Sequence, residues 1–177
     1  MKIPYYLLGL LIRYGPQHGY QLKQIIGRQI AEFARIKLPT IYYHLERMEQ
    51  KGLVSASVER EGNRPERTVY AITDQGRAYF DQLLGQLLME EYSPEFGIDG
   101  VLFFGEAVDP EKLREQLALK EQELRKRYKA LKRHQKSLFP AENEKAALFT
   151  RLIFTHHRRH LEAEIEWIES VLKRLPT

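Results

Sequence analysis

Apolar residues in the first part of the chain recur at spacings of three and four, which is the period of one face of a helix. The pattern stops at Gly15-Pro16 and again near Lys37-Leu38-Pro39, so it predicts three helices in succession. Pro39 suits the first turn of the third helix, where its missing N–H costs nothing. Gly52 is placed to end that helix in a left-handed conformation. The third helix is predicted to bury Ile41, Leu45 and Met48.

The period of the pattern then changes from that of a helix to that of a strand. Two short runs with Val, Thr and Tyr, 53–61 and 66–72, flank the turn composition Gly62-Asn63-Arg64-Pro65 and predict a β-hairpin. Thr73 is placed to cap a fourth helix, which carries Phe80 and several leucines on its apolar side. The order helix, helix, helix, hairpin, helix predicts a winged helix-turn-helix, whose third helix is able to enter a major groove.

Two long amphipathic helices are predicted in the second half of the chain. Asp109-Pro110 has the composition of a helix start, and a last helix from about Ala141 to Leu175 carries a heptad-like seam. Burying a Leu or Ile side chain is worth about 1.5–3 kcal/mol, so we expect both apolar stripes to be covered. We predict a dimer interface between two chains, and the alternative is a closed hairpin within one chain. The predicted interface residues are Leu117, Leu124, Leu161, Ile165, Ile168 and Leu172.

The predicted fold class is therefore mainly α with a small β-hairpin. A winged helix-turn-helix domain over 1–90 is followed by a C-terminal helical domain for dimerisation and effector binding over 91–177. The absence of Cys excludes disulfides and thiolate metal sites. No apolar run approaches the roughly 18 residues that a bilayer span needs, and no signal peptide is recognised. We therefore expect a cytoplasmic protein that does not contact a membrane.

Positive charge is concentrated in the predicted winged domain. Residues 1–80 hold twelve Lys and Arg against seven Asp and Glu, whereas the rest of the chain holds sixteen against seventeen. Eight of the ten tyrosines also lie in residues 1–80. A basic, tyrosine-rich segment indicates a polyanionic partner, although a surface selected only for solubility has a similar composition.

The outward face of the third helix supplies candidate DNA-binding residues. At about 100° per residue, the side opposite its buried residues carries a stripe of Thr40, Tyr43, Arg47 and Lys51. His44 is predicted at the rim of this stripe, and Tyr42 on the opposite flank. These side chains hydrogen-bond to bases and phosphates in protein–DNA complexes. The alternative interpretation is an ordinary solvated helix face.

The predicted hairpin adds a cationic cluster around one tight turn. Its members are Arg60, Asn63, Arg64 and Arg67. Such a cluster suits phosphates or a narrow minor groove. The alternative is that the arginines pair with the glutamates that alternate with them in sequence.

These residues resemble the PadR family of bacterial transcriptional regulators. The matching segments are Leu8–Leu11, Gly15–Leu22, Thr40–Val54 and Arg64–Gly76, and a weaker likeness extends to Phe96–Leu124 and Leu161–Leu172. The resemblance implies a dimeric winged-helix repressor that binds a palindromic operator. It places Tyr20 at the start of the second helix, Thr40 and Tyr42 in the recognition-helix signature, and Arg67 and Tyr70 on the return strand of the wing. Many members have proline where this chain has Tyr43.

The expected function is that of a sequence-specific, ligand-responsive repressor, acting as a homodimer on double-stranded DNA. For a small aromatic or apolar effector we propose Phe103, Phe104 and Trp167, although Trp167 also suits a packed core. A protein–protein adaptor built on a winged helix is the alternative function.

Other chemistries are not indicated by the sequence. His156, His160 and Glu164 lie on three successive turns of one helix face, which is a spacing that suits a divalent metal ion. The adjacent Arg158 and Arg159 disfavour a cation at this face. We therefore expect no metal ligands, no cofactor, no catalytic residues and no enzyme activity.

Overall fold

The computed structural model describes residues 3–31, 34–60, 66–138 and 144–175. The chain divides into two compact units, Met1–Ser93 and Pro94–Thr177. Each unit has its own hydrophobic core. In the described ranges, no helix combines the length and the apolar character needed to cross a bilayer.

The first unit has the predicted winged-helix order with one additional strand. Its elements are α1 (Ile3–Tyr14), β1 (Gln17–His18), α2 (Gly19–Gln29), α3 (Leu38–Gln50), β2 (Val54–Glu59), β3 (Arg67–Ile72) and α4 (Asp74–Leu88). The strands form an antiparallel sheet in the order β1-β3-β2, and the hairpin register pairs Val54 with Ile72 and Glu59 with Arg67. The hairpin is confirmed, whereas β1 was not predicted because two residues are too few to show a period.

Local chemistry fixes the ends of these elements. Gly15 and Gly52 adopt the positive φ angles of 72° and 69° that end α1 and α3, so the predicted left-handed end of α3 is confirmed. The Thr73 hydroxyl accepts from the backbone N–H of Gly76 at 3.0 Å, which confirms the predicted cap of α4. A Cβ on Gly76 would lie 2.0 Å from the backbone oxygen of Leu53, so only glycine allows α4 to approach the residue before β2 this closely.

The core of the first unit lies between α1, α2, α3 and the sheet. Ile41 and Leu45 are fully buried and Met48 is nearly so, as predicted, and they pack with leucines of α1 and with Leu22 of α2. Because the three buried positions fix the rotation of α3, its opposite side is left in solvent.

The second unit is an antiparallel pair of long helices with a short helix before it. Its elements are α5 (Gly97–Phe103), a 3₁₀ turn (Gly105–Ala107), α6 (Pro110–Ser137) and α7 (Glu144–Arg174). The Asp109 side chain accepts from the backbone N–H of Glu111 at 3.0 Å, so the predicted start of α6 is confirmed. The helix α5 was not predicted, because its glycines give a low helix propensity and it spans only seven residues.

The predicted dimer interface lies along the core that α6 and α7 form within one chain. Four of its six residues are buried within one chain, in the core between α6 and α7, and the other two pack against that core. The buried residues are Leu117, Leu124, Ile165 and Ile168, and the packed ones are Leu161 and Leu172. The apolar seam of α7 was predicted from the sequence. In the structure the apolar stripe of α6, the preceding helix, covers it, since consecutive elements usually pack together. Leu161 and Leu172 remain half-buried in the single chain.

Candidate nucleic-acid interface

The exposed face of α3 presents a tyrosine and an arginine that are joined to each other. Tyr43 and Arg47 lie one helical turn apart, and an Arg47 guanidinium nitrogen donates to the Tyr43 hydroxyl at 2.6 Å. The guanidinium carbon also lies 5.6 Å from the centre of the Tyr43 ring. The contact uses a small part of the donor capacity of Arg47, since a guanidinium carries five N–H groups. Arg47 is therefore oriented before any ligand binds.

The neighbouring side chains on α3 differ in exposure. Tyr43 is 51% exposed, Arg47 and Lys51 are exposed, and Thr40 and His44 are half-buried. The His44 ring packs edge-on against the Tyr43 ring, with the ring centres 5.2 Å apart. Partial burial, and then the charge of Arg47, lower the pKa of His44. A neutral imidazole offers one donor and one acceptor to a base edge or a phosphate.

The other flank of α3 meets the start of α2. A Cβ on Gly19 would lie 2.6 Å from Cε1 of Tyr42, so glycine at the first position of α2 makes room for the Tyr42 ring. Tyr20, the next residue of α2, is 53% exposed. Tyr20 of α2 and Tyr42 of α3 are therefore both exposed on the side of α3 that meets the start of α2.

His18 connects α2 to the wing. Its Nδ1 accepts from the backbone N–H of Gln21 at 3.2 Å, and the Gln21 side chain accepts from the His18 backbone N–H at 3.0 Å. This reciprocal pair caps α2. Burial, and then the charge of Arg67 on β3, lower the pKa of His18. Sequence reasoning missed His18, because histidine is not among the side chains that favour a helix N-cap.

Two of the three wing arginines lie in the ranges that the structure describes. Arg60 follows β2, Arg67 begins β3, and both are exposed. No carboxylate of the part of the chain that the structure describes lies within ion-pair distance of Arg47, Arg60 or Arg67. Asn63 and Arg64 lie outside the described residues.

Acidic residues occupy the flank of α3 that faces the sheet. Burial raises the pKa of Tyr70 on β3, and the charges of Glu49 and Glu46 raise it further. The two carboxylates therefore lie near β3, on the opposite flank of α3 from Tyr43 and Arg47. The face that carries Tyr43, Arg47 and Lys51 is cationic.

The residues predicted for an effector pocket have different environments. Phe103 and Phe104 are exposed, with their ring centres 5.0 Å apart. Trp167 is half-buried and packs against the core between α6 and α7. Two cavities described in the second unit are lined by α6 and α7 residues other than these three.

The sequence matches two protein-family models. The transcriptional regulator PadR-like family matches residues 7–82, and the virulence activator alpha C-terminal family matches residues 102–176. No curated protein matches the chain.

Solved structures resemble the chain over nearly its whole length. Bacillus subtilis PadR in complex with operator DNA has a TM-score of 0.79 at 19% identity, covering 99% of this chain and 100% of that one. The Vibrio cholerae virulence activator AphA has a TM-score of 0.79 at 23% identity, covering 98% and 97%. Bacillus subtilis PadR in complex with p-coumaric acid has a TM-score of 0.73 at 18% identity, covering 96% and 93%.

At these identities the structural likeness shows the shared fold, and the family match adds the class of protein. That class consists of transcriptional regulators and not of enzymes. The winged helix-turn-helix of this chain, over residues 7–82, therefore matches the PadR-like family of transcriptional regulators, and the long helical hairpin matches the virulence activator alpha C-terminal family over residues 102–176.

Proposed function

We propose that the chain is a sequence-specific DNA-binding repressor that acts as a homodimer on a palindromic operator. The observation that carries the proposal is the cationic face of α3, on which Tyr43 orients Arg47 toward solvent. The structure of Bacillus subtilis PadR with operator DNA supports it, since that protein shares the fold. A regulator that binds the bacterial genome acts in the cytoplasm, so the proposal includes that location.

Each part of the first unit has a role in this proposal. The third helix enters the major groove, where Arg47 contacts a base and Thr40, His44 and Lys51 contact base edges or phosphates. Tyr20 and Tyr42 contact phosphates beside the start of α2. The wing, through Arg60, Asn63, Arg64 and Arg67, holds the backbone or the minor groove.

The second unit supplies assembly, so that residues 1–90 bind DNA and residues 91–177 form the dimer. An apolar surface on the first half of α7 is added to the predicted seam as a candidate interface. We name it the α7 apolar surface, and it consists of Leu148, Phe149, Leu152 and Ile153, all exposed. Leu148 lies one helical turn from Leu152, and Phe149 lies one turn from Ile153, so the four residues share one face of α7. This is the pattern of a helix face that a partner covers. Two copies would present two recognition helices to half-sites about one DNA turn apart.

The proposal includes a small aromatic or apolar effector. Bacillus subtilis PadR has been solved with p-coumaric acid, an aromatic acid. In this chain Phe103 and Phe104 offer exposed aromatic surface for such a ligand, and Trp167 adds a half-buried one.

Selection of bound sequences from a random duplex pool tests the proposal. A two-fold symmetric motif is expected, and titrations on that motif and on a scrambled duplex then measure specificity at several salt concentrations. Arg47→Ala should reduce the preference for the motif. The exposed Arg77 on α4 provides a control with the same change in charge, and Arg77→Ala should keep the preference. Recovery of no preferred sequence would favour the protein–protein adaptor.

A further inference from the structure

We propose that His156 and His160 form a two-imidazole chelate for a divalent transition-metal ion on the surface of α7. The two histidines lie one helical turn apart, and their Nε2 atoms are 3.1 Å from each other. Both side chains are exposed, so an ion reaches them from solvent. The site belongs to the second unit and does not depend on the proposed DNA binding.

The distance between the two nitrogens is that of a chelate. Metal–nitrogen bonds to imidazole are about 2.0–2.1 Å long, so two nitrogens 3.1 Å apart subtend an angle of about 95–100° at a shared ion. That angle lies between the roughly 90° of square-planar or octahedral geometry and the roughly 109° of tetrahedral geometry. Without an ion, one ring donates its Nε2–H to the other. When an ion binds, that proton is carried on Nδ1 of the same ring, so that both Nε2 lone pairs face the ion. Imidazole suits Cu²⁺, Ni²⁺ and Zn²⁺, and Cu²⁺ is expected to bind most tightly.

The surroundings leave room for the other ligands of the ion. In the single chain, an open groove of about 430 Å³ adjoins the pair, and it is lined by Leu152 of the α7 apolar surface together with Thr155, His156, Arg159, His160 and Ala163. Within the described ranges, no third His or carboxylate completes a metal-binding group. Glu164, one turn further along α7, forms an ion pair with Lys120, in which Nζ of Lys120 lies 2.6 Å from Oε1 of Glu164. Water therefore fills the remaining positions of the ion.

The positive charge of Arg159 opposes the binding of a cation at His156 and His160. Arg159 lines the same groove, and a guanidinium near a divalent cation weakens its binding. Replacing Arg159 with Gln should therefore tighten binding.

Calorimetric titration of the untagged full-length chain with CuCl₂, NiCl₂ or ZnCl₂ tests the proposal. One ion per chain is expected. His156→Ala and His160→Ala should each weaken binding by about tenfold or more, since even changes outside the ligand shell cost that much. His157→Gln is the matched control, because His157 lies beside His156 but not one turn from it, and this variant should bind as the wild type does.

Two further measurements keep the result unambiguous. Far-UV circular dichroism shows whether each variant retains its helices, and Cu²⁺- or Ni²⁺-induced broadening of histidine NMR signals shows which rings bind. Broadening centred on His156 and His160 supports the chelate. Unchanged affinity in His156→Ala and His160→Ala, or equal loss in His157→Gln, would overturn it.

Discussion

Replacing Gly19 with Ala tests whether the start of α2 sets the position of Tyr42 on α3. The new methyl group would lie 2.6 Å from Cε1 and 2.8 Å from Cζ of the Tyr42 ring. Carbon atoms in contact ordinarily lie about 3.5–4.0 Å apart, so the ring or the helix has to move by roughly 1 Å. The substitution therefore perturbs the contact that holds the two helices of the helix-turn-helix together.

Two effects of opposite sign determine the change in stability. Overpacking of a well-packed contact costs about 1–3 kcal/mol. Replacing glycine with alanine inside a helix gains up to about 1 kcal/mol, and Gly19 is the first residue of α2, where the gain is smaller. We therefore expect Gly19→Ala to lower the free energy of unfolding by about 1–2 kcal/mol.

The same helix contains a matched control. Gly27 also lies in α2, and a Cβ added there meets nothing within 4 Å. Gly27→Ala should therefore raise the free energy of unfolding by about 0.5–1 kcal/mol, because only the backbone term remains. The same change in one helix is thus expected to have opposite signs at two positions.

Urea denaturation followed by far-UV circular dichroism measures both variants. The double variant Gly19→Ala/Tyr42→Ala completes a mutant cycle, in which removal of the ring should abolish most of the cost of the new methyl group. Gly19→Ala that stabilises the chain as Gly27→Ala does, or a cost that persists without the Tyr42 ring, would refute the steric explanation.

Three further predictions concern the recognition face, the cap of α2 and assembly. Arg47→Ala should weaken binding of the selected duplex by about 1–3 kcal/mol, and Tyr43→Phe by about 0.5–1.5 kcal/mol, in fluorescence anisotropy titrations; a loss of affinity that is equal for selected and scrambled duplexes would argue against base contact. The neutral His18 ring caps α2 and its pKa is lowered in the folded chain, so this stabilisation is fully present above the ordinary pKa of 6.5 and is lost as the pH falls through the lowered value. As the pH is lowered below 6.5, the urea midpoint of the wild type should therefore decrease more steeply than that of His18→Asn, whose side chain caps a helix without titrating. Parallel curves would contradict the assignment of His18 as the titrating cap. Leu152→Asp should shift the sedimentation coefficient from that of a dimer to that of a monomer. The control Leu119→Asp on α6 should not, although Leu119 is 53% exposed and Leu152 54%. A dimer that survives Leu152→Asp would exclude the α7 apolar surface as the interface.

Much of the fold follows from local sequence signals. The buried positions of α3 fix its outward side, and Thr73, Asp109 and Gly52 mark element ends through hydrogen bonds or backbone angles that involve only nearby residues. The contact between Tyr43 and Arg47 also obeys a local rule, since side chains one turn apart on a helix are neighbours. Sequence reasoning placed both residues on one stripe but did not join them.

The features that sequence reasoning missed depend on contacts between distant residues. The strand β1 exists because Gln17 and His18 pair with Tyr70 and Val69, more than fifty residues away. The close approach of Gly19 to Tyr42 has the same origin, because it appears only when α2 and α3 are packed. A two-residue strand and a single glycine carry no period, so neither is visible in the pattern of apolar positions.

The seam of α7 shows most clearly what a hydrophobic pattern does and does not specify. A repeat of apolar residues states which side of a helix must be covered, since the gain from burial depends on the area removed from water. That gain is the same whether the covering surface comes from the same chain or from a second copy. Here α6 covers Ile165 and Ile168, so the pattern is satisfied before any dimer forms. In the proposed dimer, the information about assembly lies in the apolar residues that remain exposed after folding, such as Leu148 and Leu152, and these are identified only once the intrachain partner is known.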